Sequence, residues 1–200
     1  MFYWLIYILL FLPLKICFPT RVIGRKNLPK GKAIFAPNHQ TLFDSPILLC
    51  SLHRRMYWLM KKELFENKLL GACLKGMGGI KVDRGKADIE AIKKVLFVLN
   101  KKNKPVTIFP TGTRNSSPEE INDIKNGVAM FSVKTNSPII PMMFIKKPRF
   151  FHFNTLVIGK PLDLSKYEGR KADKELYNEI SLDLENAMQD LLKQYSKESK

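Results

Sequence analysis

Short runs typical of β-strands alternate with helical runs along most of this chain, and this alternation limits the available folds more than any other feature. Strands are predicted at residues 32–36, 56–60, 80–83, 105–109, 139–144 and 155–158. Helices are predicted at residues 45–52, 63–74, 88–100, 126–135 and 171–194. The pattern favours an α/β fold in which helices flank a mixed sheet. The 200 residues contain no long linker, which suits one domain with its own core.

The beginning of the chain differs in character from the rest. MFYWLIYILLFLPL carries no charge, and the apolar run continues to Phe18 after Lys15. A bilayer span needs about 20 apolar residues, and Pro13 and Lys15 interrupt this one. A cleaved signal peptide begins with positive charge, whereas here the cations follow. We predict a membrane anchor at residues 1–20, either spanning or lying in one leaflet, followed by a domain at 21–200. A core helix is the alternative.

Net charge narrows the choice of partners. The chain carries +16 at neutral pH, which indicates an anionic partner such as nucleic acid, an acidic membrane surface or a phosphorylated substrate. Aromatic residues interleaved with cations, typical of single-stranded nucleic-acid binding, are not prominent beyond the first segment. Cys17, Cys50 and Cys73 form no CxxC motif, so neither a disulfide framework nor a zinc site is expected and a reducing compartment is favoured.

A histidine and a carboxylate stand five residues apart in FAPNHQTLFDSP, residues 35–46. On one regular helix His39 and Asp44 would diverge by about 140°. They can meet if His39 lies in the turn after a strand and Asp44 lies in the first turn of the next helix, a placement that Pro37 and Pro46 support. A carboxylate on one imidazole nitrogen leaves the other free to remove a proton from a hydroxyl. A purely structural contact is the alternative.

Two further stretches predict anion-binding sites. In VTIFPTGTRNS, residues 106–116, a strand runs into a Gly112 turn flanked by Thr111, Thr113 and Arg114, a combination suited to phosphate. In GMGGIKVDRGK, residues 76–86, glycines lead into a strand that ends in basic residues, among them Lys81 and Arg84. The second stretch is not a P-loop, because the glycine spacing is wrong and Ala87 stands where Ser or Thr would hold magnesium. Ordinary hydrophilic loops are the alternative for both.

Taken together, these stretches resemble the glycerolipid acyltransferases, and most of all those that acylate lysophosphatidic acid. The family's NHxxxxD block, its Gly-rich strand ending in a basic residue, its FPEGTR block and its apolar run with a proline occur in order. They read NHQTLFD at 38–44, GGIKVDR at 78–84, FPTGTR at 109–114 and IIPM at 139–142. The resemblance covers about residues 20–165. One departure stands at position 111, where Thr111 replaces the family's glutamate.

The resemblance implies an activity and a set of site residues. A fatty acyl group would pass from a thioester of acyl-carrier protein or coenzyme A to the 2-hydroxyl of 1-acylglycerol 3-phosphate, giving phosphatidic acid without a metal or cofactor. His39 would be the general base and Asp44 its partner. Backbone N–H groups near Gly112 and Thr113 are candidates for the oxyanion donors. The implied substrate-binding residues are Asn38, Lys81, Arg84, Thr111, Gly112, Thr113 and Arg114.

Other functions are compatible with the same residues. A related acyltransferase would use glycerol 3-phosphate or another lysophospholipid as the acceptor. A catalytically silent module would bind anionic lipid through its basic patches, but such a binder does not need the His39–Asp44 pair. Because the proposed acceptor and product are lipids, the cytoplasmic face of the cell membrane is the expected location.

Overall fold

A seven-stranded sheet organises the molecule, as seen in a computed structural model that describes residues 2–83, 88–119, 121 and 123–196, with only the backbone of residues 2–4. Its strands are β1 (Thr20–Ile23), β2 (Ile34–Pro37), β3 (Tyr57–Lys61), β4 (Gly79–Val82), β5 (Val106–Thr107), β6 (Ile139–Phe144) and β7 (Asn154–Ile158). The helices are α1 (Phe2–Cys17), α2 (Asp44–Leu52), α3 (Lys68–Gly76), α4 (Ile89–Asn100), α5 (Gly127–Thr135) and α6 (Lys174–Ser196).

The strands lie in the order β1-β7-β6-β2-β5-β3-β4. All neighbouring pairs are parallel except β6 and β7, which are antiparallel. Five adjacent strands, β6, β2, β5, β3 and β4, therefore run in one direction and end at one edge of the sheet. The predicted α/β fold with a mixed sheet flanked by helices is confirmed.

The central strands are buried because both faces of the sheet are covered. Every residue of β2 and β6 is buried, as expected for continuous apolar runs in a parallel sheet. Helices α4, α5 and α6 contribute to the core on one face, and α6 packs against β6. The other face holds a second core cluster built with α2, against which Tyr7, Leu14 and Cys17 of α1 pack.

Helix α1 is therefore partly a packing element of the domain. It lies against α2, and Phe18 directly after it is buried. Five large apolar side chains on its other side are exposed, those of Leu5, Ile8, Leu9, Leu12 and Ile16. Within the part of the chain that the structure describes, no helix combines the length and apolar character needed to cross a membrane.

The structure differs from the predicted elements at three places. Strand β1 was not predicted, because its TRVI sequence contains few apolar residues and is ordered by pairing with β7. The helix predicted at 63–74 is divided into a 3-10 turn at Lys62–Phe65 and α3, because Asn67 caps α3 by accepting a hydrogen bond from the Leu70 N–H. Strand β5 is only two residues long, because the chain turns soon afterwards.

Candidate active site

The parallel strands bring two predicted loops together at their shared edge. The carboxyl ends of neighbouring parallel strands are where α/β proteins place their ligand sites. Asn38 and His39 follow β2, and the Gly112 turn follows the adjacent β5. The Asn115 N–H donates to the carbonyl of His39 at 2.8 Å. Residues 76 positions apart in the chain are thereby held side by side.

His39 and Asp44 form the predicted contact. The imidazole Nδ1 lies 2.7 Å from Asp44 Oδ2. Strand β2 ends at Pro37 and α2 begins at Asp44, so His39 lies in the connecting turn, as the sequence indicated. With Nδ1 held by the carboxylate, Nε2 is the ring nitrogen available to accept a proton.

Asp44 is itself fixed by the turn that precedes it. Its Oδ2 accepts from the backbone N–H groups of Gln40 and Thr41 at 2.6 and 2.9 Å. Its Oδ1 accepts from the Thr41 hydroxyl at 2.6 Å. Asp44 is fully buried. The carboxylate therefore closes the turn and orients the imidazole at the same time.

Phe109 fixes the plane of the imidazole. The rings of His39 and Phe109 stack with centroids 3.9 Å apart and an interplanar angle of 19°. The His39 side chain is 14% exposed. Stacking restricts rotation of the ring, and the Asp44 contact restricts its flip, so the histidine is oriented before any ligand binds.

The Gly112 turn is closed by its own hydrogen bonds. Gly112 has φ +72°, a conformation that glycine adopts without strain. Its N–H donates to the carbonyl of Phe109 at 3.0 Å. The Thr111 hydroxyl donates to the carbonyl of Thr113 at 2.8 Å. The Gly112 N–H, expected as a candidate oxyanion donor, is thus committed to the turn, while Thr113 and Arg114 are exposed.

A cleft of about 500 Å³ adjoins this turn. Its apolar lining comes from residues on the α4–α6 face of the sheet, including Leu59, Ile108 and Val128. Its polar lining includes Thr111, Gly112, Thr113 and Lys125. Phe109 also lines it and contacts His39, so one ring joins the cleft to the His39–Asp44 pair.

The side-chain amide of Asn38, a predicted substrate-binding residue, is hydrogen-bonded within the fold. Its side-chain Nδ2 donates to the carbonyl of Phe144 at 3.0 Å, and its Oδ1 accepts from the Phe144 N–H at 2.8 Å. The residue is 2% exposed. Both groups of the amide join the ends of β2 and β6, which is not the arrangement expected of a substrate contact.

Among its described residues, the second predicted stretch meets the first only through Val82 and Asp83, which line the cleft beside the Gly112 turn. Lys81 is exposed on β4, two strands beyond β5. It lines a separate depression with Lys62, Lys94 and the carboxylates of Asp83 and Asp88. Lys81 therefore lines a different depression from the Gly112 turn, and Asp83 borders both. Arg84 lies outside the described residues.

Three residues of the candidate site were not predicted from the sequence. Thr41 holds the Asp44 carboxylate, and Phe109 stacks on His39. Both lie inside the matched blocks, but nothing in their spacing indicates these contacts. Lys125 reaches the cleft from a loop without any motif, so no local signal marks it.

Burial raises the pKa of the Cys50 thiol to about 11, so it stays protonated and is a poor nucleophile.

Comparison with known proteins gives relatives of one kind. The chain is 31% identical over 148 residues, 74% of its length, to a 1-acyl-sn-glycerol-3-phosphate acyltransferase of Helicobacter pylori. It is 29% identical to proteins of the same name from Streptococcus pneumoniae, over 59% of the chain, and Bacillus subtilis, over 86%. The chain spans 60%, 43% and 91% of the lengths of these three proteins, respectively.

A solved structure shares the fold. The 1-acyl-sn-glycerophosphate (LPA) acyltransferase PlsC from Thermotoga maritima superposes with a TM-score of 0.62 at 24% identity, covering 86% of this chain and 71% of that one. A family model described as Acyltransferase matches residues 19–145. Because that match covers more than half of the chain and includes both the His39–Asp44 pair and the Gly112 turn, the chain belongs to this acyltransferase family.

Proposed function

We propose that this chain transfers a fatty acyl group from an acyl thioester to the 2-hydroxyl of 1-acylglycerol 3-phosphate, giving phosphatidic acid. The observation that carries the proposal is the 2.7 Å contact between His39 Nδ1 and the buried Asp44 carboxylate, which leaves Nε2 to act as a base. The names of the relatives support this acceptor. The donor is a thioester of acyl-carrier protein or coenzyme A.

In the proposed reaction, the acceptor supplies the nucleophile. His39 Nε2 takes the hydroxyl proton as the acceptor oxygen bonds to the thioester carbonyl carbon. Asp44 stabilises the imidazolium that forms, as the aspartate does in a serine-protease triad. The tetrahedral intermediate collapses with cleavage of the C–S bond, and the proton on His39 passes to the departing thiolate. An ester and a free thiol result.

The phosphate of the acceptor is assigned to the Gly112 turn. Arg114 is exposed directly after the turn, and Lys125 lines the adjoining cleft. A guanidinium binds a phosphate through charge-assisted hydrogen bonds. Thr111 contributes no charge in place of the family's glutamate, and its hydroxyl supports the turn through Thr113. Lys81, in its separate depression, is a weaker candidate for the phosphate.

We also propose the cytoplasmic face of the cell membrane as the site of action. The acceptor and product are lipids, and the net charge of +16 favours an anionic leaflet. The exposed face of α1 supplies apolar side chains such as Leu9, which is 72% exposed. Such a helix is suited to lie in the interface with its apolar face in lipid.

His39→Ala is expected to abolish acyl transfer, because no other group is assigned to remove the proton. A labelled-acyl assay with detergent-dispersed 1-acylglycerol 3-phosphate measures this loss. His53→Gln is the matched control and should keep wild-type turnover, because His53 lies at the opposite end of α2 from Asp44, with its Nδ1 against the Tyr7 hydroxyl. Substantial turnover by folded His39→Ala protein would contradict the mechanism.

The same assay distinguishes acceptors. 1-Acylglycerol 3-phosphate should be acylated in strong preference to glycerol 3-phosphate and to a lysophospholipid with a larger headgroup. Preference for either of those would keep the chemistry but change the substrate. Absence of transfer to every acceptor, with both coenzyme A and carrier-protein thioesters, would instead support a silent lipid-binding module.

A further inference from the structure

The loop between β6 and β7, residues 145–153, presents phenylalanine side chains to solvent. Phe153 is 90% exposed, Phe151 71% and Phe150 49%. Three exposed phenylalanines within four residues are unusual, because each leaves a large apolar surface in water. These side chains have no part in the proposed acyl transfer.

This loop is held in place by specific contacts. The buried Asn154 side chain accepts from the Arg149 N–H at 3.0 Å and donates to the His152 carbonyl at 2.8 Å. The Phe151 N–H donates to the carbonyl of Cys17 at the end of α1, at 2.7 Å. Phe151 has φ +54°, which a bulky residue rarely adopts. The fold therefore holds the loop in place at the cost of backbone strain at Phe151, a feature that often marks functional sites.

The phenylalanines continue into the loop that carries the His39–Asp44 pair. The ring centroids of Phe150 and Phe43 are 5.0 Å apart. The ring of the buried Phe18 lies 4.3 Å from that of Phe150 and 4.9 Å from that of Phe43. Phe43 directly precedes Asp44, and its neighbour Leu42 is 66% exposed. We define the aromatic patch as Leu42, Phe43, Phe150, Phe151 and Phe153. It borders both the candidate active site and the end of α1.

The charged side chains beside the aromatic patch indicate an anionic partner. Lys146, Lys147 and Arg149 are exposed in the same loop, and residues 145–153 include no acidic residue. Aromatic side chains with cations beside them match the interfacial region of an anionic bilayer, where rings enter between headgroups and cations bind phosphates. A purely apolar protein partner would not need the cations.

We propose that the aromatic patch is a membrane-docking surface that inserts into an anionic phospholipid bilayer beside His39. It acts in addition to the exposed face of α1. The docked orientation opens the candidate active site toward the lipid, so that a lysophospholipid reaches His39 without passing through water. Only this last consequence rests on the proposed acyl-transfer function.

The docking is tested by flotation of the full chain with vesicles of phosphatidylcholine and phosphatidylglycerol. The double variant Phe151→Ser/Phe153→Ser should bind these vesicles at least about tenfold more weakly than the wild type, because it loses the apolar area that enters the bilayer. Phe97→Ser is the matched control. Phe97 is 53% exposed on α4, which covers the opposite face of the sheet, and its substitution should leave binding unchanged.

The charges are tested separately. Lys147→Glu/Arg149→Glu should remove most of the preference for anionic over pure phosphatidylcholine vesicles, because the cations at the docking surface are reversed. Lys101→Glu/Lys104→Glu, an equal charge change in the exposed segment after α4, should retain most of it. Equal losses in the two variants would show that only net charge matters and would overturn the role of the loop.

Turnover distinguishes docking from chemistry. The Phe151→Ser/Phe153→Ser protein should lose kcat/KM for acceptor embedded in vesicles and keep it for a short-chain, monomeric acceptor. Vesicle binding equal to that of the wild type would overturn the proposal, whatever the turnover. Intact vesicle binding with turnover lost only for the carrier-protein thioester would assign the patch to a protein donor instead. A wild type without turnover on either acceptor would contradict the proposed function, while flotation would still report on the patch.

Discussion

Asn38 and Gln40, on either side of His39, both have buried side-chain amides, but only one of the two amides is hydrogen-bonded. Asn38 makes two hydrogen bonds to the backbone of Phe144. Gln40 is 4% exposed, yet within the described residues neither its Oε1 nor its Nε2 has a hydrogen-bond partner. A buried amide without a hydrogen-bond partner lowers the stability of the folded chain.

Substitution should therefore change stability in opposite directions at these two residues. Gln40→Met should raise the free energy of unfolding by about 1 kcal/mol, because an unsatisfied polar group is replaced by an apolar one of similar size. Asn38→Leu should lower it by about 1–3 kcal/mol, because both backbone groups of Phe144 lose their partner. Urea unfolding measures both values. A destabilised Gln40→Met protein would show that the amide has a partner, such as an ordered water.

The contact between helices α1 and α2 includes a titratable side chain, that of His53. His53 ends α2, and its Nδ1 lies 2.5 Å from the Tyr7 hydroxyl oxygen. The Phe11 ring is 5.5 Å from the imidazole. Burial, together with the nearby cations Arg25 and Lys15, lowers the pKa of His53 below its usual 6.5. The charged imidazole is therefore disfavoured in the folded state.

This shift predicts a loss of stability in acid. Because the folded-state pKa of His53 is below the unfolded value of 6.5, the unfolded chain binds more protons as the pH falls. The contribution of His53 is complete above about pH 6.5 and declines below it. Wild type should lose more unfolding free energy than His53→Gln between about pH 7.5 and 5.5. Denaturant titrations at both values measure the difference, and parallel losses in the two proteins would refute the role of His53.

For the molecule as a whole, two kinds of force are expected to act at a membrane. The net charge of +16 attracts it to anionic lipid, and the exposed side of α1 provides apolar contact. Deleting α1 would not test the apolar contact alone, because it would also disturb the core. Tyr7, Leu14 and Cys17 pack against that core, and Phe18 is buried within it. Exposed positions of α1 are the suitable places for substitution.

Leu9→Ser/Leu12→Ser is expected to weaken binding to neutral and anionic vesicles by the same factor, about tenfold, because only apolar contact is lost. The preference for anionic vesicles should then equal that of the wild type. Leu182→Ser on α6, at a side chain 57% exposed, is the control and should bind normally. Unchanged binding of the α1 variant would show that the exposed face of α1 does not contact lipid.

Most of the elements and the contact of the His39–Asp44 pair were predictable from the sequence alone. Strand β6 lies at the predicted residues 139–144, and Leu176, Ile180 and Leu184, at helical spacing within the helix predicted at 171–194, are buried. These features depend on local periodicity, which a single sequence contains. The contact of His39 with Asp44 was also predictable, because the two residues are only five positions apart in the chain.

Contacts between distant segments depend on tertiary packing. Strand order places the Gly112 turn beside His39, whereas Lys81 lines a different depression. The stack of Phe109 on His39, the clamp between Asn38 and Phe144, and the contact of Phe150 with Phe43 all join residues far apart in the chain. Strand pairing and side-chain packing are non-local, because each depends on the burial of every other element. Periodicity and motifs therefore predict the parts, whereas packing fixes their neighbours.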